Sequence, residues 1–210
     1  MNKFREQKVE IRPIDNLNKN FICGMDASEV LAEEKSGVIY YDYEGNEQDI
    51  FKTLSESGVN YIRLRVWNDP YDEDGHGYGG ANADLKTAIE LGKRATAYGM
   101  KVCVDFHYSD FWADPNRQLA PKTWMNYSPE KKEAALYQFT IDSLARIIES
   151  GVDVGMIQVG NEINNGMSGE KDVSVVNKLL KEGVRAVRNL AKKLQKRYKS
   201  CTSLYTYQGC

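Results

Sequence analysis

Short apolar runs alternate with longer amphipathic stretches along this chain, and the connections between them are strongly unequal. The runs are Phe21–Asp26, Val59–Val66, Met100–His107 and Val154–Gly160. Helical patterns are expected over Gln48–Ser57, Ala83–Tyr98, Ser128 to about Ser150, and roughly Val173–Tyr198. Each helix-to-strand connection is two or three residues built around Gly58, Gly99 or Gly151, whereas the strand-to-helix connections are long and polar. Strand–helix units in series predict a parallel sheet with helices outside it. Long loops gathered at the C-terminal ends of the strands predict an α/β fold of the (β/α)₈ barrel type, with its functional surface at that end. An open doubly wound sheet is the competing architecture. It usually carries a glycine-rich phosphate loop after its first strand, and here that segment reads Met25-Asp26-Ala27-Ser28-Glu29-Val30 with no glycine.

Composition narrows the partners. The chain has 210 residues, 41% hydrophobic and 28% charged, enough apolar material for a core. A net charge of −2 gives no electrostatic reason to seek nucleic acid or anionic lipid. No apolar run is long enough to span a membrane. The N-terminal twenty residues are charged throughout and lack the apolar stretch of a leader. A cytoplasmic location is therefore expected for the chain as written, and secretion only if a leader has been removed. Cys23, Cys103, Cys201 and Cys210 form no CxxC pair, so neither a disulfide framework nor a zinc site is expected. Cys23 and Cys103 lie in apolar runs and read as core residues.

The strand ends carry the chemistry. The first ends at Asp26, followed by Ser28 and Glu29. The second carries Arg63 and Arg65, then Trp67-Asn68-Asp69. The third carries Asp105 and His107, then Ser109-Asp110-Phe111-Trp112. The fourth ends in Gly160-Asn161-Glu162. Side chains alternate along a strand, so Ile62, Leu64 and Val66 face the helices while Arg63, Arg65 and Trp67 face the barrel interior. Buried guanidinium groups need carboxylates, and Asp26, Asp105 and Glu162 stand at matching heights to supply them. A structural ion-pair network explains Arg63 as well as a substrate role does. Asp105 and His107 have the spacing of a metal pair, but no third ligand is evident and His76 sits apart in a Gly-rich loop, so no metal site is expected. Trp67, Trp112 and Trp124 fall in loops beside polar residues, where exposed aromatics mark ligand contact. Aromatic platforms and carboxylates together suggest saccharide chemistry, in which two carboxyl groups break the glycosidic bond.

Four stretches carry a family likeness: FICGMDASEV, GVNYIRLRVWNDP, GMKVCVDFHYSDFWADPNRQLAPKTW and IQVGNEINNGM, spread from Phe21 to Met167. On these the chain resembles the endo-β-1,4-galactanases of glycoside hydrolase family 53. The resemblance implies a (β/α)₈ barrel and retaining hydrolysis of β-1,4-galactan or arabinogalactan side chains. It further implies Glu162 as acid/base, Asn161 as the contact to the sugar 2-hydroxyl, and Asp26, Arg63, His107, Asp110 and Trp112 as cleft residues; Arg65, Trp67 and Asp105, at the same strand ends, are expected to bind substrate with them. It implies no cofactor; the family's calcium, where present, lies outside this chain.

The chain also departs from the family. Four strand–helix units are expected where the family has eight, and the family's nucleophile, a second Glu at the end of strand seven, has no counterpart here. The expected organisation is an N-terminal extension over 1–20, an incomplete barrel over 21–198, and an irregular tail over 199–210 that does not read as a fifth strand and is read as out of frame. On that reading the isolated chain is inactive. Its strands starting at Phe21 and Val154 are open edges, and self-association through them is expected. Two alternatives stand: another retaining β-1,4-glycanase of the same barrel group, and a sugar-binding half-barrel without turnover.

Overall fold

The computed structural model describes residues 14–18, 20–196 and 198–201. Five parallel strands lie side by side in chain order: β1 (Gly24–Asp26), β2 (Tyr61–Val66), β3 (Lys101–Phe106), β4 (Val154–Val159) and β5 (Lys199–Cys201). Helices α1 (Val30–Lys35) and α2 (Ile50–Glu56) join β1 to β2. Helices α3 (Leu85–Ala97), α4 (Pro129–Glu149) and α5 (Val173–Lys193) each follow one of the next three strands. The order matches the part-barrel expectation, since a doubly wound sheet would reverse its strand order.

Each element has a local cause. Alternation on β2 buries Ile62, Leu64 and Val66 completely against the helices. Asp49, Asp84, Ser128 and Asp172 cap the N-termini of α2, α3, α4 and α5, each accepting a backbone N–H of the first turn. Pro129 sits at the first position of α4, where no N–H is needed. The return turns, residues 57–60, 98–100 and 150–153, place Gly58, Gly99 and Gly151 at φ 89°, 77° and 93°, in the left-handed region that glycine enters freely. The core between sheet and helices holds Phe51, Leu91, Phe106, Leu136, Leu144, Ile157 and Leu179.

Several expectations are corrected here. Ordered pairing of the first strand begins at Gly24, not Phe21. The short helix α1 escapes the periodicity because it offers one buried residue, Val30. Residues 199–201 run as a strand, paired in parallel with Met156–Gln158. The segment expected to begin an irregular tail therefore starts as β5, and β4 is paired on both sides rather than forming an edge. Strand pairing uses backbone groups that every residue carries, so an unpromising side-chain pattern does not prevent it. Most of the expected N-terminal extension and residues 202–210 of the tail lie outside the described residues. Cys103 is buried as expected, but Cys23 is exposed at the start of the sheet. Among the described residues, no helix is long and apolar enough to cross a membrane.

Candidate active site

Strand register brings the polar residues together. Asp26 lies opposite Arg63, and Arg65, Asp105 and Gln158 lie side by side across β2, β3 and β4. A belt of charged and amide side chains therefore crosses the inner face at two successive heights, Asp26 and Arg63 on one and Arg65, Asp105 and Gln158 on the next, near the C-terminal ends of the strands.

Arg63 is the hub. Its Nη1 donates to Asp26 Oδ2 at 2.6 Å, its Nη2 to Asp105 Oδ2 at 2.5 Å and to Asn161 Oδ1 at 2.9 Å, and its Nε to Gln158 Oε1 at 3.3 Å. Two carboxylates against one guanidinium offset the cost of enclosing the charges. Burial pushes the Asp26 carboxyl up, but the Ser28 N–H and hydroxyl and the guanidinium groups of Arg65 and Arg63 more than offset that, so it is held below the usual carboxylate value.

Arg65 occupies a separate layer. Its Nη2 donates to Glu29 Oε1 at 3.1 Å, its backbone N–H donates to Ser28 Oγ at 3.0 Å, and its guanidinium lies 4.2 Å from the centre of the Trp112 ring. Trp112 in turn meets Trp67 edge-on at 6.0 Å. Trp112 is half-buried, whereas Trp67 and Trp124 are buried, so their expected role as exposed platforms is corrected. A loop position in the sequence does not reveal whether another loop folds over it.

His107 is wholly buried and its nitrogens are assigned by their partners. Nδ1 accepts from Trp67 Nε1–H and from the Ala113 N–H, both at 3.1 Å, and the Nε2 side faces Asp105 Oδ2 at 3.0 Å. Two donors on Nδ1 leave the proton on Nε2, which donates to Asp105. The expected cleft residues Asp105 and His107 thus form a support behind Arg63. Asp110 braces two loops, accepting from the Asp69 N–H at 3.0 Å and the Lys122 N–H at 2.7 Å. Burial pushes its carboxyl up from the ordinary value.

Asn161 and Glu162 end β4. Asn161 Oδ1 accepts from Arg63 and from Gln158 Nε2, the latter at 3.0 Å, and its Nδ2 donates to the Ala113 carbonyl at 2.8 Å. Glu162 is half-buried with a left-handed backbone, φ 49° and ψ 45°. Its carboxylate stands outside the arginine network, contrary to the expectation that it would help neutralise Arg63 and Arg65; among the described residues it has no hydrogen-bonding or ionic partner. That leaves it available to act on a substrate.

Two contributors, Gln158 and Gln118, escaped the sequence, and Ser28, named at the end of the first strand, has a part of its own. Gln158 interrupts an otherwise apolar strand, a signal that was readable. Ser28 holds both Asp26 and the Arg65 backbone. Gln118 reaches the Asn161 and Glu162 carbonyls from a neighbouring loop, and nothing in its local sequence announces that. Asp72, Asp74 and His76 cluster at the surface away from this belt, among hydrogen bonds that close their own turn.

The arrangement is an anchored cation, a buried imidazole–carboxylate support and one unpartnered carboxylate on a rigid turn. Residues 22–198 match the family model described as glycosyl hydrolase family 53. An endo-beta-1,4-galactanase of Bacillus subtilis is 53% identical over 188 residues, covering 90% of this chain and 44% of that protein. An arabinogalactan endo-beta-1,4-galactanase of Humicola insolens is 38% identical over 144 residues, covering 69% and 41%. The solved GH53 catalytic domain of Ignisphaera aggregans superposes with a TM-score of 0.87 at 41% identity, covering 94% of this chain and 55% of that one. The chain spans less than half the length of these two curated relatives.

Proposed function

The chain belongs to glycosyl hydrolase family 53, and from that premise we propose that it forms the acid/base side of a retaining endo-β-1,4-galactanase acting on galactan or arabinogalactan side chains. The observation that carries this reading is the placement of Glu162. An unpartnered, half-buried carboxylate sits at the end of β4, directly after Asn161, whose amide is fixed by Arg63, Gln158 and Ala113. Its family relatives are named for galactan hydrolysis.

In this reading Glu162 gives its proton to the departing glycosidic oxygen and later takes one from the incoming water. Asn161 uses one Nδ2 hydrogen on Ala113 and offers the other to the sugar 2-hydroxyl. Arg63, held by Asp26 and Asp105, supplies fixed positive charge beside the reacting centre. Trp112, stiffened by Arg65 on one face, offers its other face to a sugar ring. Retention requires a second carboxylate about 5–5.5 Å from the first. In this proposal the second comes from the remainder of a family barrel, so the 210-residue polypeptide alone releases no sugar.

The alternative of a half-barrel that binds sugar without turnover keeps the same Asn161 and Trp112 contacts and differs in its output. The deciding experiment measures reducing ends from β-1,4-galactan, both for the 210-residue chain and for a protein in which this sequence is continued to the length of its relatives. The longer protein is expected to turn over and to lose nearly all activity in Glu162→Gln. A Glu162→Gln protein as fast as its parent would overturn the assignment.

The outer side of β1 also bears on behaviour in solution. Met25 on β1 is exposed, and β1 is paired along one side among the described residues. The 210-residue chain is therefore proposed to self-associate through that edge.

A further inference from the structure

Glu162 carries a left-handed backbone, which is strained for a residue with a side chain, and such a conformation persists where its surroundings hold it. The loop between β3 and α4 is bonded to this turn. A tight turn, closed by reciprocal backbone bonds between Asp114 and Arg117 at 3.1 and 3.0 Å, projects Gln118 toward the end of β4. Gln118 Nε2 donates to the carbonyls of Asp114 at 3.2 Å, Asn161 at 2.8 Å and Glu162 at 3.2 Å.

Two N–H bonds shared among three carbonyls fix the orientation of that amide. Turned over, it would set its oxygen against three acceptors. Gln118 Oε1, on the far side, is buried without a partner. The side chain is thus placed for its donors alone. The same loop is stitched on around this point. Asn161 Nδ2 donates to the Ala113 carbonyl at 2.8 Å, Asn165 Nδ2 to the Pro115 carbonyl at 2.9 Å, and the Gly169 N–H to the Gln118 carbonyl at 2.6 Å.

We infer that Gln118 is a positioning residue for the acid/base: its amide locks the Asn161–Glu162 turn and so sets the heading of the Glu162 carboxylate toward the leaving-group oxygen. The inference rests on the role assigned to Glu162 above. A carboxylate that must deliver a proton along one line is sensitive to its mounting, because a displacement of about 1 Å costs on the order of a hundredfold in rate.

The test uses the barrel-length protein, with two substrates. Natural galactan needs its leaving group protonated; an aryl β-galactoside with an acidic phenol does not. The parent and Glu162→Gln are measured first. If the parent leaves galactan intact, or Glu162→Gln retains full rate, the proposed function itself fails. With those controls in place, Gln118→Met keeps the side-chain length and removes both donors. It is expected to lower kcat on galactan about 10- to 100-fold with KM little changed, and to lower kcat on the aryl substrate by less than about threefold. Gln118→Lys, which restores N–H donors, is expected to recover most of the galactan rate. A Gln118→Met protein at parental kcat, or one losing rate equally on both substrates, overturns the inference. If Gln118→Met fails to fold, as read by circular dichroism, Gln118→Lys decides: a folded protein that loses galactan and aryl rates equally overturns the inference, and one near the parent on both supports it.

Discussion

Arg63 Nη2 meets Asp105 Oδ2 at 2.5 Å, and the Asp105 side chain has no exposed surface at all. This pair joins the inner faces of β2 and β3 and fixes the charge around which the candidate site is arranged. Removing one partner of a buried pair leaves the other uncompensated, which commonly costs about 3–5 kcal/mol. Arg63 keeps Asp26 and Asn161 when Asp105 is changed, so Asp105→Asn is expected to lose part of that free energy of unfolding, read as a lower denaturation midpoint at an unchanged slope. Adding Arg63→Met to Asp105→Asn should restore part of the loss. Strictly additive losses in the double variant would contradict a direct coupling.

The tautomer of His107 is a second expectation. Trp67 Nε1–H and the Ala113 N–H both point at Nδ1, so the ring proton belongs on Nε2 toward Asp105. Nitrogen-15 NMR of the imidazole near neutral pH should show an unprotonated Nδ1 and a protonated Nε2. Trp67→Phe removes one of those donors and leaves space beside a fully buried ring, so it should destabilise by about 1–3 kcal/mol.

Acid should act through Asp26. Its folded-state pKa lies below the ordinary 3.8, because Ser28, Arg65 and Arg63 together outweigh the opposing effect of burial. A depressed folded pKa gives a contribution that is fully present above the unfolded value and is lost as pH falls through the folded one. The stability difference between the parent and Asp26→Asn should be constant from pH 7 down to about pH 5 and shrink below about pH 4. A difference that grew on acidification would reverse the sign of this account.

Gly183 lies inside α5, where helix propensity alone would favour alanine by roughly 1 kcal/mol. A Cβ there would stand 2.5 Å from Val159 Cγ1, 3.2 Å from Tyr108 Oη and 3.3 Å from Leu136 Cδ2. Overpacking of that kind costs about 1–3 kcal/mol. Gly183→Ala is expected to lower the melting temperature, and a rise would show that the sheet and α4 yield more easily than close packing allows.

Self-association is open to direct measurement. Light scattering of the purified 210-residue chain at micromolar concentration should give a mass above one chain. A cooperative monomer across that range would exclude edge pairing as a property of this polypeptide.

The parallel strand–helix order, the face of β2 that packs on helices and the cluster of polar residues at the strand ends are legible in the residue pattern. These follow from periods of two and 3.6 residues and from Gly punctuation, which act within a few residues of chain. The pattern also placed Glu162 after Asn161 at the close of β4. The partnerships among those polar residues arise only when the loops and strands come together. Asp26 and Asp105 took Arg63 while Glu162, three residues past the end of β4 and in a left-handed conformation, stayed apart from it. Trp67 became buried because the β3–α4 loop brings Phe111 and Trp112 against it. Residues 199–201 became a strand because β4 offered unpaired backbone groups, which no side-chain pattern records. Gln118 reached Glu162 across 44 residues of chain. Contacts of that span depend on how neighbouring loops fold over one another, and local propensity carries no information about that.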